Sequence, residues 1–373
     1  MSLDDELSDL LIISLEQAVA APYCGLLLAS AGARVIKVER PEGDFARSYD
    51  NSINGKSAIF AWLNRGKESI SLNLKNNTDK KIFKNMLKKA DVFLSNLTSG
   101  SLEKLELDYQ QVKTLNPKLI FCEITGYGNS KLAHSKKAYD FLIQAESGLC
   151  SVTGTEKYPS KVGISIADLS TGLTAYSAIL RGIIQRSKTK KGASISISMF
   201  DVMADWMNMP LLAHRYMGGT PKRNGMKHSF IAPYGTFKCK NNDEILISIQ
   251  NNREFEVFCK KILKNKTLFK NPKFQDNPNR YKNRNELDEI INSCFLKYTK
   301  KEIQKKLDSE GIANALLNNT SDLSNHKLLK NENALISNEY VSIAALPIKT
   351  SSKLSIKVPS IDENGMKLRS EFN

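Results

Sequence analysis

The sequence has little of what builds metal sites or disulfide frameworks. Its six cysteines, Cys24, Cys122, Cys150, Cys239, Cys259 and Cys294, are scattered with no CxxC pair, and four histidines accompany them. That spacing supplies no metal-ligand set and no dense disulfide framework. No run approaches the roughly 18 consecutive apolar residues that a membrane-spanning helix needs. The opening residues MSLDDELSDL have neither a basic region nor a long apolar stretch, so no secretory signal is expected. Arginine-rich tracts and aromatic-studded basic strands are missing too. The net charge of +15 is carried by dispersed lysines, among them Lys80-Lys81, Lys88-Lys89, Lys190-Lys191, Lys260-Lys261 and Lys300-Lys301. This excludes a nucleic-acid interface better than it suggests one, while a positive field would suit a polyanionic small ligand. The expectation is a cytoplasmic protein with no metal, no nucleic acid and no membrane among its partners.

What is present is a large core. With 373 residues, 41% of them hydrophobic, the chain is expected to form two domains. Residues 10–14 (LLIIS) read as a buried strand. A helix follows from Pro22 through Ala31, stopped by Gly32, and residues 33–38 read as a second strand. Strand, helix and strand within thirty residues make a βαβ unit and predict a parallel sheet. Glu39 ends the second strand where a dinucleotide fold keeps its ribose-binding acid. The first turn, however, is Glu16-Gln-Ala-Val-Ala-Ala-Pro22, without the GxGxxG that cradles a pyrophosphate, so a nicotinamide cofactor is disfavoured.

Further along, residues 69–75 alternate as a strand, 79–89 form an amphipathic helix, and 92–94 and 119–123 are short strands. Residues 193–199 (ASISISM) alternate cleanly, and 201–207 read as a helix. A turn-rich segment, Gly218-Gly219-Thr-Pro-Lys-Arg-Asn-Gly225, is the best domain boundary. Beyond it a hairpin over 236–250 precedes a mostly helical stretch to residue 307.

The most informative stretch is 159–192. Val162, Ile164 and Ile166 alternate with Gly163, Ser165 and Ala167, the period of a strand. From Leu169 the apolar positions take helical spacing through Ile184. Asp168 stands at the switch. It can be a helix N-cap, or a nucleophile or base held ionised by the helix terminus; a cap can also be a reactive carboxylate.

Residues 163–172, Gly-Ile-Ser-Ile-Ala-Asp-Leu-Ser-Thr-Gly, resemble the class III coenzyme A transferases (CaiB/BaiF type). So do Gln17-Ala-Val-Ala-Ala-Pro22 and Gly32-Ala-Arg-Val-Ile-Lys-Val-Glu-Arg-Pro41, and the likeness runs over nearly the whole chain. The resemblance implies an α/β fold: a Rossmann-like large domain with a parallel sheet, residues 1–217 completed by 328–373, and a smaller α+β domain, 218–327. It also implies an interlocked homodimer. Asp168 would be the catalytic residue, forming aspartyl anhydride and thioester intermediates. Coenzyme A and its acyl esters would be substrates, with no permanently bound cofactor.

Carried over residue by residue, Arg40 would bind the CoA nucleotide, where a surface salt bridge to Glu39 or Glu42 is the alternative. Leu72 to Lys75 match the strand end along which CoA threads, and Asn96, Leu97 and Thr98 match another contact segment. Lys104 stands where the family often has arginine, keeping charge but losing a bidentate fork. Lys137 and Tyr139 fall on positions lining the thioester end. Racemases of the superfamily have histidine at the Tyr139 position, and tyrosine, with a reference pKa near 10, is a poor base at neutral pH; His134 lies close by. Val19 replaces a polar residue found in some members. The segment 200–207 looks most like the branch that handles short dicarboxylyl-CoA esters such as mesaconyl-, itaconyl- or succinyl-CoA. The tail, 361–373, lacks the Leu-Gly-x-His-Thr sequence and the final helix of most relatives. An α-methylacyl-CoA racemase, with Asp168 as acid and base, and a non-catalytic CoA-ester binder are the rival readings.

Overall fold

The computed structural model describes residues 3, 5–130, 132–133, 136–348 and 355–373; His134 lies outside the described residues. The chain divides into two compact units, Met1–Cys150 with Lys161–Leu212 and Lys330–Asn373, and Ser151–Ser160 with Ala213–Leu329.

The first unit is built on six parallel strands: β1 (Leu11–Leu15), β2 (Arg34–Glu39), β3 (Glu68–Ser71), β4 (Val92–Ser95), β5 (Ile120–Thr125) and β6 (Ala193–Ser198), in the order β3-β2-β1-β4-β5-β6. The inner strands β1, β4 and β5 are buried and largely apolar on both faces because helices cover both. Ile12, Val92, Leu94, Ile120 and Cys122 point into one core. Their chain neighbours Ile13, Phe93 and Phe121 point into the other. In that second core Phe83, Phe93 and Phe121 meet edge to face at 5.6 and 5.5 Å, a favoured aromatic geometry.

The helices of this unit include α1 (Ala20–Ser30), α2 (Ala58–Asn64), α3 (Asn77–Lys89), α4 (Ser101–Lys104), α5 (Tyr109–Leu115), α6 (Asp140–Glu146), α7 (Leu149–Val152, which runs across the division), α8 (Ile166–Thr189) and α9 (Met199–Trp206). The 24-residue α8 is about 36 Å long at 1.5 Å per residue. It lies close on α1 because Gly172 has no side chain: a Cβ there would stand 2.5 Å from the Ala20 carbonyl oxygen.

Four local expectations need correction. Residues 162–167 are not a strand. A strand needs a ladder partner, and here the backbone bonds go to side chains, Val162 N–H to Gln144 Oε1 at 2.8 Å and Ala167 N–H to Asp140 Oδ1 at 2.7 Å. The strand expected over 69–75 stops at Ser71, after which Asn73 and Asn76 organise a turn. The first helix starts at Ala20 rather than Pro22. The tail does form a closing helix, Gly365–Phe372, with Leu368 and Phe372 buried in the second core.

That tail also seals the edge of β3. Asn364 Oδ1 accepts from Ser69 N–H and Asp362 Oδ1 from Ser71 N–H, at 2.9 and 2.8 Å. Arg369 donates to the Ser71 carbonyl at 2.7 Å.

The second unit has a three-stranded antiparallel sheet, Tyr234–Lys238, Glu244–Ser248 and Asn314–Leu316. Its core gathers Ile245, Ile247, Phe255, Phe258, Leu287, Ile291 and Phe295. Arg280, buried over the Phe255 ring, donates to the Ala232 and Phe274 carbonyls. No helix among the described residues is long and apolar enough to cross a membrane, and all six cysteines are free thiols.

Candidate active site

In a sheet of order 3-2-1-4-5-6 the chain leaves β1 and β4 in opposite directions, opening a crevice at their carboxyl ends. Two clefts lie there. The first is lined by Gln17, Ala18, Tyr49, Asn96, Leu97, Thr98, Lys137, Tyr139, Asp140 and Asp168, among others. The second is lined by Arg40, Leu72, Lys75, Gln17 and Leu97 with their neighbours. Gln17 and Leu97 belong to both, so the two clefts meet over the β1–β4 junction.

Asp168 is not an N-cap. It is the third residue of α8, whose N-cap is Ser165, without a side-chain bond. The capping carboxylate comes from another helix: Asp140 Oδ1 accepts from Ala167 N–H at 2.7 Å and Asp168 N–H at 3.4 Å. Asp140 thus occupies the positive helix end that would otherwise serve Asp168. Burial, and then the Asp140 charge, push the Asp168 carboxyl up to about 7. Among the described residues its oxygens have neither an ion pair nor a hydrogen-bond donor. A half-buried, unpartnered carboxylate beside a second one is a better nucleophile than a satisfied surface aspartate, because little must be stripped from it before attack.

The segment bearing Lys137 and Tyr139 is set against the end of β5 by Gly126. A Cβ on Gly126 would fall 2.0 Å from that of Ala138. Lys137 and Tyr139 are exposed on the cleft wall. Tyr49 lines the same cleft. Burial, then the charges of Asp168 and Asp44, push its phenol up to about 12, so at neutral pH it is a hydrogen-bond donor.

In the second cleft Arg40 is more than half exposed. It donates Nε–H to the Gly43 carbonyl at 2.9 Å and lies 3.9 Å from Glu42, which, among the described residues, leaves the rest of its guanidinium fork free to meet a ligand. Lys75 is exposed and Leu72 is part of the core. Lys104 is exposed at the end of α4 and lines neither cleft, although the next residue, Leu105, lines the second. Asn96 uses its amide on the backbone, giving Nδ2–H to the Gln17 carbonyl at 2.8 Å and accepting from Gln17 N–H at 2.9 Å. It ties the two loops together.

Glu39 lines the second cleft, but its carboxylate is already taken. Arg47, Ser69 Oγ–H and Asp44 N–H all donate to it. Burial opposes its ionisation, but Arg47 and Lys37 bring its pKa down to about 2. This accounts for its charge without a ribose. Sequence pattern alone assigned no role to Gln17, Tyr49 or Asp140. Asp140 carried no signal, because 28 residues separate it from the charge it raises.

Residues 7–360 match CoA-transferase family III. The chain is 32% identical over 371 residues to the acetyl-CoA:oxalate CoA-transferase of Acetobacter aceti, covering 97% of this chain and 95% of that one. It is 34% identical over 317 residues to the succinyl-CoA:glutarate CoA-transferase of Mus musculus, covering 84% and 72%. The crystal structure of a CAIB/BAIF family protein from Brucella suis superposes with a TM-score of 0.83 at 30% identity, covering 100% of this chain and 99% of that one.

Proposed function

The chain belongs to CoA-transferase family III, and we propose that it moves coenzyme A between a short dicarboxylic acyl-CoA and a free carboxylic acid through covalent intermediates on Asp168. The observation that carries this reading is the state of Asp168: it has no hydrogen-bond donor among the described residues, sits beside Asp140, and lines a cleft that meets the one lined by Arg40 and Lys75. The relatives named for oxalate and glutarate support a dicarboxylic acid as one partner.

The Asp168 carboxylate attacks the thioester carbonyl of the donor. The C–S bond breaks, giving a mixed anhydride and CoA thiolate. The thiolate then attacks the Asp168 carbonyl of that anhydride, releasing the donor acid and leaving an aspartyl-CoA thioester. The acceptor carboxylate attacks this thioester and expels the thiolate, which takes the new acyl group and frees Asp168. Each step exchanges one activated acyl bond for another, so the protein's task is position and exclusion of water. Arg40, Leu72 and Lys75 hold the nucleotide half of CoA. Lys137 offers a cation to the acid, and the Tyr49 hydroxyl a donor to the developing oxyanion. Lys104 meets phosphate at the rim.

The protein acts as a homodimer. Phe141, Leu142, Leu173, Ile184 and Trp206, all large and exposed on the first unit, support a partner surface. Six free thiols suit a reducing cytoplasm.

Mass spectrometry after incubation with succinyl-CoA and a hydroxylamine quench tests the mechanism. A modification on the peptide containing Asp168, with turnover abolished in Asp168→Asn, is expected, because an amide cannot form the anhydride. Normal turnover in Asp168→Asn with no adduct overturns it. Deuterium entering the α-carbon of a chiral 2-methylacyl-CoA in heavy water, with no acyl exchange, would replace transfer by racemisation.

A further inference from the structure

The turn after β1, residues 16–19, borders both clefts yet contains no glycine, and its Ala18 has φ +63°. L residues avoid this region, and such a conformation persists where the surroundings over-determine it. Here buried charge does so. Lys37 and Asp44, whose side chains are wholly buried, pair at 2.8 Å through Asp44 Oδ2. Asp44 Oδ1 accepts from Ala18 N–H at 3.1 Å and Ala46 N–H at 2.9 Å. Lys37 also approaches the Glu16 carboxylate, 3.4 Å away, while Lys67 and Ser14 hold that carboxylate from the other side. Asn96 fixes both backbone groups of Gln17. The cluster balances its charges, Glu16, Glu39 and Asp44 against Lys37, Lys67 and Arg47; burial disfavours the Lys37 charge, but Glu16 and Asp44 outweigh it and hold the ammonium above its usual range.

We propose that the Lys37–Asp44 pair is a positioning device for acyl transfer: by taking the Ala18 N–H it holds the 16–19 turn in register with Asp168. Asp44 acts through the backbone and touches no reacting atom; the inference rests on Asp168 carrying the chemistry. With its acceptor removed, the turn relaxes and the thioester carbonyl loses its alignment. Misplacement of about 1 Å can cost up to about 100-fold in rate. The nucleotide half of CoA sits in the other cleft, so kcat falls more than KM rises.

Two double variants isolate the acceptor. Lys37→Met with Asp44→Asn removes both charges together, leaving no orphaned buried ion, and keeps a side-chain oxygen for Ala18. Lys37→Met with Asp44→Ala removes that oxygen as well. With succinyl-CoA and glutarate as probes, the Asn double variant should stay within about threefold of wild-type kcat. The Ala double variant should lose at least tenfold in kcat, with KM for succinyl-CoA within about threefold. Equal kcat in the two, or a loss confined to KM, overturns the proposal. Should the Ala variant not fold, Lys37→Met with Asp44→Val, which also has no oxygen for Ala18, takes its place under the same thresholds, and a tenfold loss in the folded Asn double variant overturns the proposal. Asp168→Asn, run alongside, separates the two claims, since turnover surviving that change refutes the role of Asp168 whatever the pair shows.

Discussion

Replacing Asp168 with asparagine should make the protein more stable while abolishing transfer. The carboxyl is raised from 3.8 to about 7, so the fold disfavours its ionised form. For an acid raised in this way, the penalty is absent well below pH 4, grows as pH climbs from 4 to 7, and is constant above that. Each tenfold change in proton affinity is worth about 1.36 kcal/mol, so the rise sets a ceiling of about 4 kcal/mol. Asp168 is half-buried rather than sealed, so screening brings this to about 2 kcal/mol. The attraction of the α8 terminus is already taken by Asp140, so asparagine forfeits none of it. The net expectation is a gain of about 2 kcal/mol at pH 8 and under half of that at pH 5. Urea unfolding of wild type and Asp168→Asn at the two pH values, followed by a probe in the first unit, measures it. A variant equal to or less stable than wild type at pH 8, or a gap that does not widen with pH, would refute the account of strain at this carboxylate.

Other outcomes follow from the same geometry. Transfer should rise with pH through about 7 as Asp168 ionises, and Asp140→Asn, which keeps an oxygen for Ala167 N–H, should move that limb toward acid in a kcat/KM profile. Arg40→Ala should weaken CoA-ester binding by about 1.5–3 kcal/mol, the scale of a charged hydrogen bond, as titration calorimetry with CoA would show. Labelled dicarboxylic acid should enter its own CoA ester with no acceptor present, since the anhydride forms before the acceptor is needed; absence of exchange would count against a covalent route. Gly126→Val should displace the segment bearing Lys137 and Tyr139, because even a Cβ collides with Ala138, and should cut turnover at least tenfold.

The parallel sheet was legible in the sequence because β1, β2, β4, β5 and β6 are short apolar or alternating runs bounded by polar turns. Asp168 was legible as the residue at which helical spacing begins. Its cap was not, since the capping carboxylate is Asp140, brought in from α6 by tertiary structure. The alternation over 162–167 misled for the same reason: period two signals an extended chain, and only a neighbouring ladder makes it a strand. Glu39 resembled a ribose ligand at the end of β2, but the cation that claims it, Arg47, lies eight residues on in a 3-10 turn with no periodic signature. Whether Arg40 and Leu97 share a surface could not be read from spacing, because the order of β1 and β4 in the sheet decides it.

The sealing of β3 has a consequence during biosynthesis. The groups that bond to Ser69 and Ser71 arrive 291 to 298 residues later in the chain. At about 5–20 residues per second, a ribosome needs roughly 15–60 s to deliver them. For that interval β3 is an unguarded outer strand, the kind of edge that recruits other chains. A nascent chain that stalls, or a message cut short of the last dozen codons, would release a protein with its reactive cleft complete and its sheet open, and the burden of keeping it dispersed would fall on chaperones.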